Sequence, residues 1–499
     1  MKRAVKIISL LAGFSCFLAG CMVGPAYKPP TAPVATQWSE FEDNRLKTTP
    51  PVEPRWWKDA FQDAVLDRLI DEAVAGNLTL RSAGLRVLQA RQVLLITKGT
   101  LFPQEQFVGA SAAVVDPGAG AGSSQAYSLN FNLTWEIDVW GRIRRQIESA
   151  SAALDATLSS YDGVLVTLIS EVAQTYLLIR TTEQRLAVAR KNVTYQEESV
   201  RISRAKFDAG EISALDVEQG QTLLSNTRAS VVLLEQSLRQ FKIALAILLG
   251  RLPHDPTRGL GTPGAIPAVS PVLAVGMPQD LIRRRPDIRA AERRLAAQSA
   301  QIGVAVTDLY PQLALGGVIG PTVNTATGQV FADLFNSGSV AYNFGGLVRW
   351  NILNYGRIEN NIRLQDATFQ QLFEDYRQIV LRAQGEVESA LVVFFQSLLQ
   401  LKELQQAADA AQRAADVSME QYMEGMVDYN TVVSTLRTLA TQQDQLASIR
   451  GAVAVNLVEV YRSLGGGWEV RQSDNADDLI PEETKAEMRD RGDYWPGKD

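Results

Sequence analysis

The sequence predicts a mainly α-helical protein with a membrane β-barrel part, built from one unit that occurs twice. Three observations predict this fold: an internal duplication, two pairs of two-faced strands, and long helical stretches with apolar residues at heptad spacing. Each half runs in the order helix, strand, strand, long helix, helix. We expect three copies to form a twelve-stranded barrel that a long periplasmic α-helical barrel continues.

The duplication is visible as short matching motifs. LFPQ at 101–104 matches LYPQ at 309–312, a shift of 208 residues. A shift of 215 residues relates WEIDVWGRI at 135–143 to WNILNYGRI at 350–358, and FDAG at 207–210 to YMEG at 422–425. Because the matches keep one order and nearly one offset, the two halves are copies of one structural unit.

The motifs divide the chain into six parts. These are a lipoprotein signal peptide (1–20), a lipidated extended segment (21–60), the first repeat (61–250), a Pro/Gly-rich linker (251–280), the second repeat (281–465) and an acidic tail (466–499). The tail is expected to be either a belt around the helices or partly disordered. Within the first repeat we place strands at about 105–139 and a periplasmic helical hairpin at about 142–249. Their copies lie at about 312–353 and 357–463.

Helical periodicity predicts the individual elements. First helices are expected at 62–100 and 286–308, long helices at 142–207 and 357–423, and closing helices at 213–249 and 430–463. Sixty helical residues span roughly 90 Å. An equivalent apolar stripe is expected to be buried in both long helices: Leu165, Val172, Tyr176 and Ile179 in one, and Val380, Val387, Leu391 and Phe394 in the other.

Strict alternation marks the strands. From Tyr127 to Ile137 every odd residue is apolar and every even residue is polar, and 340–352 repeats the pattern. A half-buried strand of a soluble sheet has the same period. Aromatic residues at both ends of the apolar face, and a length of about ten residues, are typical of membrane strands. Four strands cannot close a barrel, and open edges are not tolerated in lipid, so the chain must share strands with copies of itself. Two copies would leave a filled lumen; the polar inner faces favour three.

The N-terminus carries an export signal. Lys2, Arg3 and Lys6 precede a short apolar run that ends in Leu18-Ala19-Gly20-Cys21. This resembles a bacterial lipoprotein signal with Cys21 as the lipidated residue; the alternative is an ordinary signal peptide with an incidental cysteine. Met22 stands where lipoproteins retained in the inner membrane usually carry Asp, which implies the outer membrane.

Composition narrows the possible functions. Loss of residues 1–20 leaves 46 basic and 55 acidic side chains, a net charge of −9, with no basic patch for nucleic acid. The single histidine, His254, lies in the linker without partners for a metal or catalytic site. No nucleophile motif or phosphate loop is present. We therefore expect neither an enzyme nor a cofactor.

Several motifs together identify a family. VGPxYxPP at 23–30, Trp56-Trp57, RRPDIRAAE at 284–292 and the two Trp…Gly-Arg junctions resemble TolC-like outer-membrane factors, in particular their NodT-type lipoprotein branch. The resemblance covers nearly the whole mature chain. It implies a homotrimer that is lipid-anchored in and spans the outer membrane, extends into the periplasm, and joins a proton-driven inner-membrane pump through a periplasmic adaptor.

The resemblance implies an exit duct for small molecules such as drugs, amphiphiles or metal ions; the substrate itself is not readable. Two alternatives stay open: a type I protein-secretion duct, and a non-conducting coiled-coil envelope lipoprotein. The alternating strands argue against the latter.

The long helices must turn back at Gly210 and Gly425, where a helix end favours a left-handed residue. We expect these turns to be the tips that dock the adaptor, with Gly210, Glu211, Ser213, Gly425 and Val427 as contact residues.

The resemblance also implies a gate near the tips. Asp216 matches an acidic position of the family's closing ring, and Tyr422 matches a gating tyrosine. The sequence departs from the family after Gly425: Val427, Thr431 and Ser434 stand where basic and acidic residues are often found, and Asp428 is the nearest acid. Under the alternative interpretation, Asp216 and Asp428 only cap the outgoing helices.

Overall fold

The computed structural model describes residues 22–40, 46–47, 54–116, 118, 122–254, 259–270, 273–276, 278–471, 473–492 and 494–495. Cys21 and the signal peptide lie outside these residues, so the lipidation of Cys21 stays a prediction. So does the division of the chain into six parts.

The helices are numbered along the chain. They are α1 (Trp56–Phe61), α2 (Ala64–Gly76), α3 (Leu78–Gly99), α4 (Arg142–Asp208), α5 (Ala214–Leu248), α6 (Leu281–Arg284), α7 (Pro286–Thr307), α8 (Arg357–Met423), α9 (Tyr429–Ser463) and α10 (Glu482–Asp490). The four main strands are β1 (Glu105–Val115), β2 (Ser124–Ile137), β3 (Gln312–Asn324) and β4 (Val340–Arg349).

The duplication extends to the length of each helix. Both α3 and α7 have 22 residues. Both α4 and α8 have 67 residues, and both α5 and α9 have 35. The starting residues of these pairs differ by the same 208 or 215 positions that relate the sequence motifs. The offsets therefore assign equivalent residues throughout both halves.

The predicted first helix at 62–100 is interrupted in the structure, where α2 and α3 take its place. Asp63 caps α2 because its side chain accepts hydrogen bonds from the amides of Val65 and Leu66. Asn77 has an extended backbone and accepts a bond from the Leu80 amide at 2.9 Å. Asp and Asn compete in this way with the helical backbone, which the apolar periodicity does not reveal.

The four strands form one antiparallel sheet in the order β1-β2-β3-β4. Val108, Phe131, Ile319 and Tyr342 are paired in one row across all four strands, and all four side chains are exposed in the single chain. The corresponding row on the opposite face includes Asn132 of β2 and Asn343 of β4. Each of these residues pairs with Val318 of β3, which lies between them. One face of the sheet is thus apolar and uncovered, and β1 and β4 are its outer strands.

The chain divides into two compact units. The first contains the described residues up to 31, together with 86–158 and 290–376, and so includes the sheet. The second contains 32–85, 159–289 and 377–499.

In the first unit, the N-terminal segment runs in extended form against helix residues. Arg145 is buried, and its guanidinium donates hydrogen bonds to the carbonyls of Val23 and Gly24 at 3.1 and 3.2 Å. A Cβ at Gly24 would lie 2.5 Å from the Cα of Gly303, so the two backbones cross in contact. The residues that follow Cys21 are therefore held at the start of α4.

The second unit buries the predicted apolar stripe. Leu165, Val172, Tyr176 and Ile179 of α4 and Val380, Val387, Leu391 and Phe394 of α8 are all at most 2% exposed. The prediction of an equivalent buried stripe in both long helices is confirmed. Within the described residues, α4 is also the one helix long and apolar enough to cross a membrane, but 61% of its apolar window is buried inside the protein. It packs as a core helix.

The tail is ordered over most of its described length and includes α10. Arg471 anchors it, because its Nε lies 2.7 Å from a carboxylate oxygen of the fully buried Asp162. Arg289 lies 3.3 Å from the other oxygen and 4.4 Å from the ring of Trp468. Two arginines thus satisfy one buried carboxylate, and one of them ties the tail to α4.

Candidate functional site at the helical turns

The two helical hairpins of the second unit turn in the same way. After α4, the amide of Glu211 donates to the carbonyl of Lys206 at 2.9 Å, and after α8 the amide of Met426 donates to Gln421 at 2.8 Å. Gly210 and Gly425 have φ values of +80° and +75°, the left-handed conformation that such a helix end requires. The predicted turns are therefore present at both glycines.

The predicted contact residues Gly210, Glu211, Ser213 and Gly425 are exposed, whereas Val427 is half-buried. Large apolar side chains are exposed beside them: Phe207, Leu215, Met423 and Met426. Both turns therefore present apolar as well as polar groups to the solvent in the single chain.

Asp216 and Asp428 cap the outgoing helices. The Asp216 carboxylate accepts hydrogen bonds from the amide and hydroxyl of Ser213 at 3.1 and 2.9 Å. Asp428 accepts from the amide and hydroxyl of Thr431 at 2.9 and 2.7 Å. These bonds hold the pKa of Asp428 below its usual value. Within one chain both carboxylates therefore have the capping role, and Thr431 is a partner of the cap.

Tyr422 lies inward from the turns and is 3% exposed. Its ring centroid is 5.2 Å from that of Tyr429, whose hydroxyl lies 3.0 Å from Ser199 Oγ. Among the described residues, the Tyr422 hydroxyl has no hydrogen-bond partner. Burial is the main cause, and the nearby Tyr429, Asp216 and Glu211 further causes, of a rise in the pKa of Tyr422 to about 12. Tyr422 and Asp216 are therefore not hydrogen-bonded to each other within the described residues.

Lys206 links the two turns and was not predicted. Its Nζ donates to the Tyr422 carbonyl at 3.4 Å and lies 5.0 Å from the Tyr422 ring centroid. It also lies 3.5 Å from a carboxylate oxygen of Glu211. One feature of the sequence pointed to Lys206, a basic residue in the last turn of α4 beside the aromatic motif. Nothing in the sequence indicated which second helix this lysine would contact.

The site offers no metal-binding chemistry. Across the part of the chain that the structure describes, no group of three or more His, Cys, Asp or Glu side chains could hold a metal ion. The chemistry available at the turns is hydrogen bonding, charge and apolar contact.

Two long helical hairpins and a four-stranded sheet with an uncovered apolar face define a class, the outer-membrane channel proteins. The family model for outer membrane efflux proteins matches residues 69–251 and 277–466, and the chain belongs to this family.

Individual relatives support the same family assignment. The chain is 30% identical over 469 residues to the toluene efflux pump outer membrane protein TtgI of Pseudomonas putida, covering 91% of this chain and 97% of the relative. It is 29% identical over 439 residues to nodulation protein T of Rhizobium leguminosarum bv. trifolii, covering 87% and 92%. The solved structure of the outer-membrane channel OprN superposes with a TM-score of 0.84 at 32% identity, covering 90% of this chain and 100% of that one. The predicted family, fold class, efflux function and outer-membrane location are confirmed.

Proposed function

We propose that three copies of this chain form the exit duct of a tripartite efflux pump, which passively conducts small molecules across the outer membrane. The observation that carries this proposal is the four-stranded sheet with an exposed apolar face and two unpaired outer strands. In lipid, the polar groups of an open edge have no partner, so the sheet must be closed by other copies.

Three copies give twelve strands, and a barrel of that size has room for a passage. The exposed row Val108, Phe131, Ile319 and Tyr342 would face the lipid. The opposite face, which includes Asn132, Asn343 and the hydrogen-bonded hydroxyls of Ser111 and Ser128, would line the lumen. The polar groups on this face, which share it with Phe107 and Val318, suit the passage of water and solutes.

The relative TtgI supports small molecules as the substrate class, because its name describes a toluene efflux pump. The pump and the adaptor would be separate proteins. The exposed Phe207, Leu215, Met423 and Met426 at the turns support the proposal that the adaptor docks there, since apolar groups at a tip gain from being covered by a partner. A proton-driven pump of the inner membrane would supply the energy.

A lipid on Cys21 would anchor each copy at the barrel. Arg145 holds the residues next to Cys21 at the start of α4, immediately after the strand–helix junction. This position supports an anchor near the membrane end of the long helix. Acylation by two or more chains gives lasting membrane attachment, whereas one chain binds only marginally.

We also propose that Tyr422, Asp216 and Asp428 contribute to a gate. The buried Tyr422 hydroxyl lacks a partner within the described chain, and Asp216 is close enough to affect its pKa. A small change in helix position, or a group from another copy, would supply the missing hydrogen bond. The Tyr422 hydroxyl is protonated at physiological pH, as an ordinary tyrosine hydroxyl is, and can therefore donate this bond.

Single-channel recording in planar bilayers tests the duct and the gate. We expect the purified protein to conduct, and Asp216→Ala combined with Tyr422→Phe to raise the conductance severalfold while the trimer persists. Asp428→Ala alone tests the third residue of the proposed gate and should also raise the conductance. A protein that never conducts would instead be a scaffold lipoprotein. Unchanged conductance in an intact double variant would leave these residues as caps and place the gate elsewhere.

A further inference from the structure

We infer that the loop at 325–339, which connects β3 to β4, is a lipid-binding surface outside the barrel wall. Its apolar patch, here called the loop patch, consists of Val330, Phe331 and Phe335. The partner is the hydrocarbon of the outer membrane. The inference rests on the duct proposed above, because it requires that the apolar face of the sheet meets lipid, and it adds a binding surface beyond the strands.

The loop lies at the outer end of the sheet. The helices α3 and α7 lead into β1 and β3, and α4 and α8 follow β2 and β4, so these helices all join the same end of the strands. The loop joins the opposite ends of β3 and β4. Because the family is one of the outer membrane and the helices extend into the periplasm, the loop is on the side that faces out of the cell.

The apolar face of the sheet is covered at this end. Tyr127 of β2 pairs with Val323 of β3, four residues from the pair of Phe131 and Ile319, so all four side chains lie on the same face. Phe131 and Ile319 are each 39% exposed, whereas Val323 is 1% exposed. Another part of the chain therefore packs on the apolar face beside Val323.

The covering part is the loop itself. Its middle forms a short 3₁₀ helix (Phe331–Phe335) that lies against β2 and β3. The Phe331 ring meets the Tyr127 ring edge-on, with centroids 4.9 Å apart, and Leu334 is buried. The loop thus folds back onto the apolar, outer face of the sheet and does not extend across the polar face that would line the lumen.

The polar groups of the loop are largely satisfied within the sheet and the loop. Asp333 is the one charged residue at 325–339, and its carboxylate accepts hydrogen bonds from the Val330 amide at 2.8 Å and the Asn336 side chain at 3.0 Å. The Thr325 hydroxyl accepts from the Gln125 amide at 2.7 Å and so ties the loop to β2. Because these groups already have partners, moving the loop into apolar surroundings costs less free energy.

The apolar groups of the loop remain uncovered. Val330, Phe331 and Phe335 are 57%, 53% and 76% exposed, and the two phenyl rings are 6.0 Å apart. Through the contact of Phe331 with Tyr127, the loop patch continues the apolar face of the sheet. An apolar surface that is continuous with a lipid-facing wall is best covered by the same lipid.

The height of the loop patch agrees with this partner. The apolar face of β3 runs from Leu313 to Val323, a length of about 34 Å along the strand at about 3.4 Å per residue. A strand tilted by about 40° then rises about 26 Å, close to the apolar band of about 25 Å in outer-membrane barrels. Since the loop patch lies beside Val323, it is at the outer boundary of this band, where aromatic rings are favoured.

Spin labelling tests the inference. Phe335→Cys carries a nitroxide, and the full-length protein is reconstituted into vesicles of phosphatidylethanolamine and phosphatidylglycerol. Power saturation then compares collisions of the nitroxide with oxygen, which concentrates in hydrocarbon, and with a nickel chelate, which stays in water. Ile319→Cys on the apolar face and Asn132→Cys on the polar face are the two controls. The unmodified chain, treated in the same way, gives the background from the native cysteines.

We expect the oxygen-to-nickel ratio at Phe335→Cys to be close to that at Ile319→Cys and severalfold above that at Asn132→Cys. Val330→Cys should give the same result. Because both side chains are exposed, neither substitution removes a core contact.

The controls separate the loop patch from the duct. If Phe335→Cys and Val330→Cys give the ratio of Asn132→Cys while Ile319→Cys is in lipid, the loop patch lies in water, and the inference is wrong while the duct stands. Few collisions with either reagent would mean that protein covers the loop patch, and would also overturn the inference. If Ile319→Cys and Asn132→Cys do not differ, the sheet has no lipid side, and both proposals fail.

Discussion

The start of α4, in the first half of the chain, is covered by α7 of the second half, and Trp140 stacks on Tyr310. In the second half, Leu364 and Tyr355 occupy the equivalent positions and are exposed. The elements, their lengths and their order are the same, yet this surface is covered in the first half and exposed in the second. Within the single chain, the duplicated unit thus covers only one of its two copies of this surface.

The turns show where the halves agree. Both end in a left-handed glycine with the same pair of backbone hydrogen bonds. The turns differ at Lys206, whose equivalent in the second half is Gln421. Of these two residues, only Lys206 is a cation, and it contacts the other hairpin. Backbone geometry was kept through the duplication, whereas the side chains that determine contacts diverged.

The largest loss of folding stability is expected in the buried apolar stripe, where the two halves are most alike. Val172 and Val387 are equivalent and fully buried. Val172→Asp and Val387→Asp should each lower the free energy of unfolding by at least about 3 kcal/mol, because each buries an unpaired charge. Denaturant unfolding of the detergent-solubilised protein measures this, with Val172→Ala and Val387→Ala as controls of smaller effect. A large loss in one half only would break the equivalence of the two stripes.

An intermediate loss of folding stability is expected at the groove that holds the N-terminal segment. Gly303→Leu introduces the residue found at the equivalent position 95, and its side chain would collide with Arg145. We expect a loss of about 1–3 kcal/mol from overpacking. Release of the segment should speed hydrogen exchange of the Val23 amide, which donates to the Trp140 carbonyl at 3.1 Å.

The reciprocal variant Leu95→Gly is the control for this groove, and it should leave exchange at 22–27 unchanged. Equal protection of these residues in the wild type and Gly303→Leu would show that the close crossing does not hold the segment.

The smallest loss of folding stability is expected at the turns that contain Gly210 and Gly425. A Cβ at Gly210 or Gly425 would meet no atom within 4 Å, so substitution adds only backbone strain. Gly210→Ala and Gly425→Ala should each cost about 1 kcal/mol, the penalty of a left-handed conformation with a side chain. Thermal unfolding should shift equally for both. A marked difference between the two variants would mean that the turns are not equivalent.

Much of this architecture follows from periodicity and repetition. The strands and long helices begin and end within four residues of the predicted positions, because the duplicated motifs fix the offset and alternation fixes the strands. The breaks at Asp63 and Asn77 depend on side-chain caps within an apolar pattern that continues through them. The path of Val23 and Gly24 depends on contacts with Arg145 and Gly303, far away in sequence, and no local pattern encodes it.

The turns at Gly210 and Gly425 were predictable for a local reason, the need of a helix end for a left-handed residue. The environment of Tyr422 was not. Its burial, its unpaired hydroxyl and the approach of Lys206 arise from the packing of two hairpins whose relative position the sequence does not specify.

The central claim is that the outer strands of neighbouring copies pair as β2 and β3 pair inside the chain. Glu105 pairs with Thr134 and Gln312 with Arg349, the residue 215 positions after Thr134, so the strand pairing relates β1 to β3 by 207 residues instead of 208. By this pairing Ala112 is the equivalent of Ile319, and Gly346 is that of Phe131. Because Phe131 pairs with Ile319, Gly346 should pair with Ala112 of the next copy.

A disulfide between these positions is the most direct measurement. The sequence has no cysteine other than Cys16 and Cys21, both near the N-terminus. Gly346→Cys with Ala112→Cys should give disulfide-linked trimers on a non-reducing gel, while the control Phe131→Cys with Ile319→Cys closes within one chain. Monomers from the first pair, alongside a closed control, would contradict a barrel shared between copies.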